Sequence, residues 1–197
     1  MSMTIFKKTS RKHRIVILQS LPPSKYETKQ SGEEIWDEII KEKGPNAAEF
    51  AEFHSSEELS MLLNELNSTI EEGQSMIVHF ETHGSDLGGI SVYPNHETIT
   101  WEKLLGTMAP INKKLQGTLI VILSMCISNT IQNHMDTVFP PPYRMIVATR
   151  IINRMEIIRG FRAFYSKYNS PLNIDDAAND LMSKTKDSDG SSAFAII

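Results

Sequence analysis

The hydrophobic positions of this chain fall into short continuous runs separated by stretches of helical spacing. Ile15, Val16, Ile17 and Leu18 form an unbroken, mostly β-branched run, the pattern of a strand buried on both faces. Runs at 75–80, 118–124 and 145–148 predict further strands. Between them, Ile35, Trp36, Ile39 and Ile40 recur at helical spacing over 33–43, and Gly44-Pro45 stops that helix. Leu59, Leu62, Leu63 and Leu66 follow Ser55 and Glu58, which have the spacing of a capping box. Helices are also predicted over 101–115, 155–168 and 175–184, the second with Ile157, Ile158, Phe161, Phe164 and Tyr165 on its apolar side. Residues 47–53 and 193–197 read as strands, and 90–93 with 98–100 as a small hairpin around Pro94 and Asn95. Residues 1–12 read as a loose basic tail, and 13–197 as one folded unit. Buried strands alternating with helices specify an α/β fold, a sandwich around a mostly parallel sheet of about six strands.

Composition narrows the function classes. The chain has 197 residues, of which 40% are hydrophobic and 22% charged, enough to build a core and unlike a disordered, collagen-like or disulfide-stapled chain. A net charge of −4 argues against a nucleic-acid partner, since binding phosphate backbones calls for a basic excess. The apolar run around Leu119–Leu123 is too short to span a membrane. The basic start lacks an apolar segment behind it, so no signal peptide is expected. The single cysteine cannot close an internal disulfide, which fits a reducing, cytoplasmic setting.

In open parallel sheets, function gathers at the carboxyl ends of the strands. Those ends present Gln19 and Ser20, then His83 and Gly84, then Ser124, Cys126 and Ser128, then Thr149 and Arg150. The chain has no glycine-rich phosphate loop, no paired acids after its first strand and no zinc-ligand spacing. Neither a metal nor an organic cofactor is therefore expected. Cys126 and His83 remain. A free thiol is only a few per cent ionised at neutral pH, and a histidine within reach can take its proton and later hand it to a leaving amine. Gly84 has no Cβ to keep a backbone N–H away from an oxyanion.

The two blocks resemble those of the caspase-like cysteine peptidases, and most closely their CHAT branch. The stretch Ile77-Val78-His79-Phe80-Glu81-Thr82-His83-Gly84 is similar to the family's histidine block. Leu119 through Leu123, followed by Ser124-Met125-Cys126-Ile127-Ser128, is similar to its cysteine block. Ile99 to Leu105, Asp175 to Ala178 and Ser192 to Phe194 lend weaker likenesses. The resemblance covers 75–197 well and 13–70 only as an α/β pattern. It departs from the caspase signature around the cysteine, where Ser124-Met125-Cys126-Ile127-Ser128 stands instead.

The resemblance implies a caspase-like α/β/α fold and a cysteine endopeptidase acting on a protein or peptide. Cys126 would be the nucleophile and His83 the base and acid. The N–H groups of Gly84 and Cys126 would form the oxyanion hole. It further implies an effector of a bacterial defence or signalling system under a separate sensor or regulatory protein. The pocket for the residue before the scissile bond (P1) would draw on Gln19, Ser20, Ser124, Thr149 and Arg150. An Arg150 wall would repel a basic P1. Were Arg150 instead neutralised by Glu156, the pocket would be shaped by Ser124 and Thr149. Two other readings share the pattern: a catalytically inactive interaction module on the same fold, and a flavodoxin-like ligand binder, which the missing phosphate loop disfavours.

Overall fold

The computed structural model describes residues 5–23, 25, 28–137 and 141–197. In chain order the strands are β1 (His13–Ser20), β2 (Glu49–Glu52), β3 (Ser75–Ser85), β4 (Gly89–Val92), β5 (Glu97–Thr100), β6 (Leu119–Ser124), β7 (Arg144–Ala148) and β8 (Phe194–Ile196). The α-helices are α1 (Ser31–Lys43), α2 (Ser56–Thr69), α3 (Trp101–Lys114), α4 (Arg154–Lys167) and α5 (Ile174–Lys184).

The sheet runs β2-β1-β3-β6-β7-β8, with the β4–β5 hairpin attached to β3. Pairing is parallel from β2 to β7 and antiparallel at β8 and in the hairpin. The expected α/β class and mostly parallel sheet are therefore present, as a mixed sheet of eight strands among the described residues.

Strand alternation explains why the β1 run is apolar throughout. Val16 and Leu18 enter a core layer with Leu59, Leu62 and Leu63 of α2 and Trp101 and Leu104 of α3. Ile15 and Ile17 enter the opposite layer with Ile35 and Ile39 of α1 and Phe161 and Phe164 of α4. Helices thus cover both faces, and no helix among the described residues is long and apolar enough to cross a membrane.

The helix starts follow local chemistry. At α2, Ser55 Oγ accepts the Glu58 N–H at 3.1 Å, while the Glu58 carboxylate takes the His54 N–H instead of that of Ser55. At α4, Asn153 and Glu156 close a reciprocal capping box.

Two expectations change. Of the segment expected to be a loose tail, residues 1–4 lie outside the described residues, but Phe6 is buried beneath α2. The Ile5 and Phe6 N–H groups both donate to Glu65 Oε1, at 2.6 and 2.8 Å. The strand expected to end at Phe80 continues to Ser85, because β4 pairs with its carboxyl end. His83 and Gly84 therefore lie in a strand rather than in the turn after it.

Candidate active site

The chain leaves β1 for β2 on one side and returns to β3 on the other, so the carboxyl ends of β1 and β3 form a topological switch point. A cleft of about 240 Å³ opens there. Leu21 and Pro22 after β1 and Ile152 and Ile157 around the start of α4 supply apolar walls. His83, Ser124 and Cys126 also line it.

Register accounts for the meeting of His83 and Cys126. β3 pairs with β6 from Met76 opposite Leu119 to Glu81 opposite Ser124. Carried two residues further, the same register sets His83 opposite Cys126. The Thr82 hydroxyl meets Met125 Sδ at 3.5 Å, and a Cβ on Gly84 would clash with the Cys126 carbonyl oxygen, so the two segments stay side by side past the end of β6. Alternation puts His79, Glu81 and His83 on the same side as Ile122 and Ser124, and Cys126, in the turn that follows, lines the same cleft. His83 is exposed and Cys126 half-buried, so both open to the cleft.

The turn after β6 is tightly built. Ile127 adopts φ 54°, a left-handed conformation that is an outlier for a β-branched residue. It is held by the next residue: the fully buried Ser128 Oγ donates to the Leu123 carbonyl at 3.0 Å and accepts the Ala148 N–H at 2.7 Å. This fixes the chain direction directly after Cys126.

Gly84 also makes a close approach that its sequence position does not imply. A Cβ at Gly84 would overlap the Cys126 carbonyl oxygen. The missing side chain thus lets the backbones of the histidine and cysteine blocks touch. Gly84→Ala is expected to destabilise the fold by about 1–3 kcal/mol, because the obstacle is backbone and cannot rotate away. Thermal melts of the two proteins check this.

Partial removal from water, and then the charge of His96, hold the His83 imidazole below the ordinary histidine pKa. A depressed pKa keeps the base form present as pH falls, and that form is lost only below the depressed value. Were this imidazole to act as a base, the acid limb of its pH–rate profile would therefore lie below about 6.5, the ordinary value. Replacing the exposed His96 with glutamine removes the Coulombic contribution and should move the limb upward. An unmoved limb would remove His96 from the account.

Of the five residues expected to shape the pocket, Ser124 alone lines the cleft. Gln19 is buried behind it. Its Oε1 accepts the Gly32 N–H at 2.9 Å and the Glu33 N–H at 3.3 Å, capping α1. Ser20 Oγ accepts the Tyr93 N–H at 3.0 Å and so ties β1 to the hairpin. Thr149 Oγ1 donates to the Ser192 carbonyl at 3.1 Å.

Arg150 is not a pocket wall. Its guanidinium pairs with Glu156 Oε1 at 2.7 Å and Asp187 Oδ1 at 2.8 Å, and donates to the carbonyls of Ile151 and Thr185. The expected repulsion of a basic P1 by Arg150 therefore has no structural basis. The Asn153–Glu156 spacing was the available signal, because a capping box at the start of α4 draws Glu156 back toward residue 150.

Further residues complete the cleft. Glu81, 1% exposed, lines it from β3. Its Oε2 accepts the Ser31 hydroxyl at 2.6 Å, and its Oε1 lies 3.0 Å from His79 Nε2. His79 Nδ1 in turn lies 2.9 Å from the Tyr165 hydroxyl. Burial, and then the Glu81 charge, raise the Tyr165 pKa well above the ordinary phenol value. Tyr165 thus keeps its proton, and its hydroxyl and the Glu81 carboxylate hold the two ring nitrogens of His79. Arg154 lines the cleft mouth and pairs with Glu34.

Among the described residues no group of three or more His, Cys, Asp or Glu side chains is placed to hold a metal ion. No protein-family model matches the sequence, and no curated protein matches it.

Proposed function

We propose that this chain is a cysteine endopeptidase with a Cys126–His83 dyad. The observation that carries the reading is the shared β3–β6 register, which brings a thiol and an imidazole to the same face of one cleft. The depressed basicity of His83 supports it, because a neutral imidazole is the form that accepts a proton.

The reaction follows from those two groups. His83 takes the Cys126 proton as Sγ attacks the scissile carbonyl carbon, and the carbonyl π electrons move onto oxygen. The N–H groups of Gly84 and Cys126 stabilise that oxyanion. Collapse of the tetrahedral intermediate breaks the C–N bond. His83 gives its proton to the departing amine and leaves a thioester on Cys126. Water then attacks the thioester with His83 as base. The acid product leaves, and the proton returns to the Cys126 sulfur.

The test is incubation of the protein with a protein or peptide mixture and assignment of new termini by mass spectrometry, beside a Cys126→Ala control. Termini that form only with the intact cysteine support the reading. No new termini, or the same termini from Cys126→Ala, would overturn it.

A further inference from the structure

We infer that the cleft receives an uncharged, amide-bearing side chain, glutamine at P1, held by the Ser124 hydroxyl. This rests on the peptidase reading for the position of the scissile bond. Ser124 is 1% exposed and lines the cleft, and its Oγ has no hydrogen-bond partner among the described residues. A buried hydroxyl without a partner carries a desolvation cost that a ligand polar group would relieve. Serine can donate and accept, and an amide offers both complements.

Charge argues the same way. Both carboxylate oxygens of Glu81 are engaged, by Ser31 and by His79. The Arg154 guanidinium is engaged by Glu34 and by the Lys29 carbonyl. An aspartate or glutamate entering the cleft would meet the like charge of Glu81 with Arg154 already paired, and a lysine or arginine would find the Glu81 oxygens already shared with Ser31 and His79. The walls at Leu21, Pro22, Ile152 and Ile157 suit an aliphatic stem.

Reach selects glutamine among the amides. Ser124 ends β6 and Cys126 lies two residues on, in the turn after it, which keeps their Cα atoms within about 7 Å of each other. A carbonyl held at the Cys126 sulfur places the P1 Cα beside it. Glutamine, with one methylene more than asparagine and a longer side chain than serine or threonine, has the greatest reach toward Ser124 among these uncharged polar side chains. The cleft, about 240 Å³, lies below the roughly 300–1,000 Å³ of sites for drug-sized molecules, as suits one side chain.

The experiment measures binding of fluorescent hexapeptides differing only at P1 (Gln, Asn, Met, Lys or Glu) to the Cys126→Ala protein, with and without Ser124→Ala. The Gln peptide is expected to bind about tenfold tighter than the Lys and Glu peptides and about fivefold tighter than the nearly isosteric Met peptide. Ser124→Ala should bring the Gln-to-Met ratio to about one. It removes an unpartnered hydroxyl, so the melting temperature should hold, and a thermal melt checks this. Preference for Lys or Glu, absence of peptide binding, or an unchanged Gln-to-Met ratio would overturn the inference. Turnover of the same peptides by the wild-type protein separates the two claims. Cleavage with a different P1 preference overturns the glutamine pocket and leaves the peptidase. Tight Gln binding without cleavage supports the pocket and overturns the peptidase.

Discussion

Cys126→Ala and His83→Ala should each lower cleavage by about 10⁴-fold or more, and the double variant should be little worse than either single one. The non-additivity follows from the mechanism: without the thiol the base has nothing to deprotonate, and without the base the thiol is mostly un-ionised. Neither change should cost much stability. His83 is exposed and Cys126 only half-buried, so each substitution should stay within about 1 kcal/mol. Progress curves for the three variants, normalised to folded protein by circular dichroism, decide the point. Additive losses would mean that the two side chains act apart.

The second large effect concerns stability. Glu81→Ala removes the shared partner of Ser31 and His79, both buried. It leaves the Ser31 hydroxyl and His79 Nε2 without that partner, beneath α1 and α4. Leaving two buried polar groups without their partner costs about 1–3 kcal/mol each. For a chain of this size that lowers the melting temperature by about 10 °C. Glu81→Gln keeps an acceptor and should lose much less. Calorimetric melts distinguish the cases, and equal losses in both variants would point to the charge of Glu81 instead of its hydrogen bonds. Activity should fall in parallel, because Ser31 and Glu81 form part of the cleft wall.

Much of the fold was legible because its central strands are buried on both faces. A run such as Ile15 to Leu18 or Leu119 to Leu123 has no polar face to offer water and so identifies itself. That His83 and Cys126 line one cleft was legible for the same reason, since each follows such a run. The pocket was not. Gln19 and Arg150 sit at strand ends, as pocket residues should, but each is taken up by a nearby helix start, of α1 and α4 respectively. Asp187, which also holds Arg150, comes from a segment that only tertiary packing brings close. Glu81 illustrates the opposite case. Alternation with His83 places it on the cleft side, but its engagement by Ser31 depends on how α1 packs, and local spacing carries no record of that. The continuation of β3 to Ser85 was likewise hidden, because it depends on pairing with β4.

The most direct measurement of the central claim is intact-mass detection of an acyl-enzyme. The protein is mixed with a peptide thioester carrying glutamine at its reactive end, quenched in acid within milliseconds to seconds, and the adduct is mapped by digestion. Cys126 is the sole cysteine, so the site of acylation is unambiguous. The account predicts a peptidyl adduct on Cys126 that forms and then decays in the wild-type protein, is absent from Cys126→Ala and forms far more slowly in His83→Ala. An adduct that forms at the same rate without His83, or none at Cys126, would contradict it.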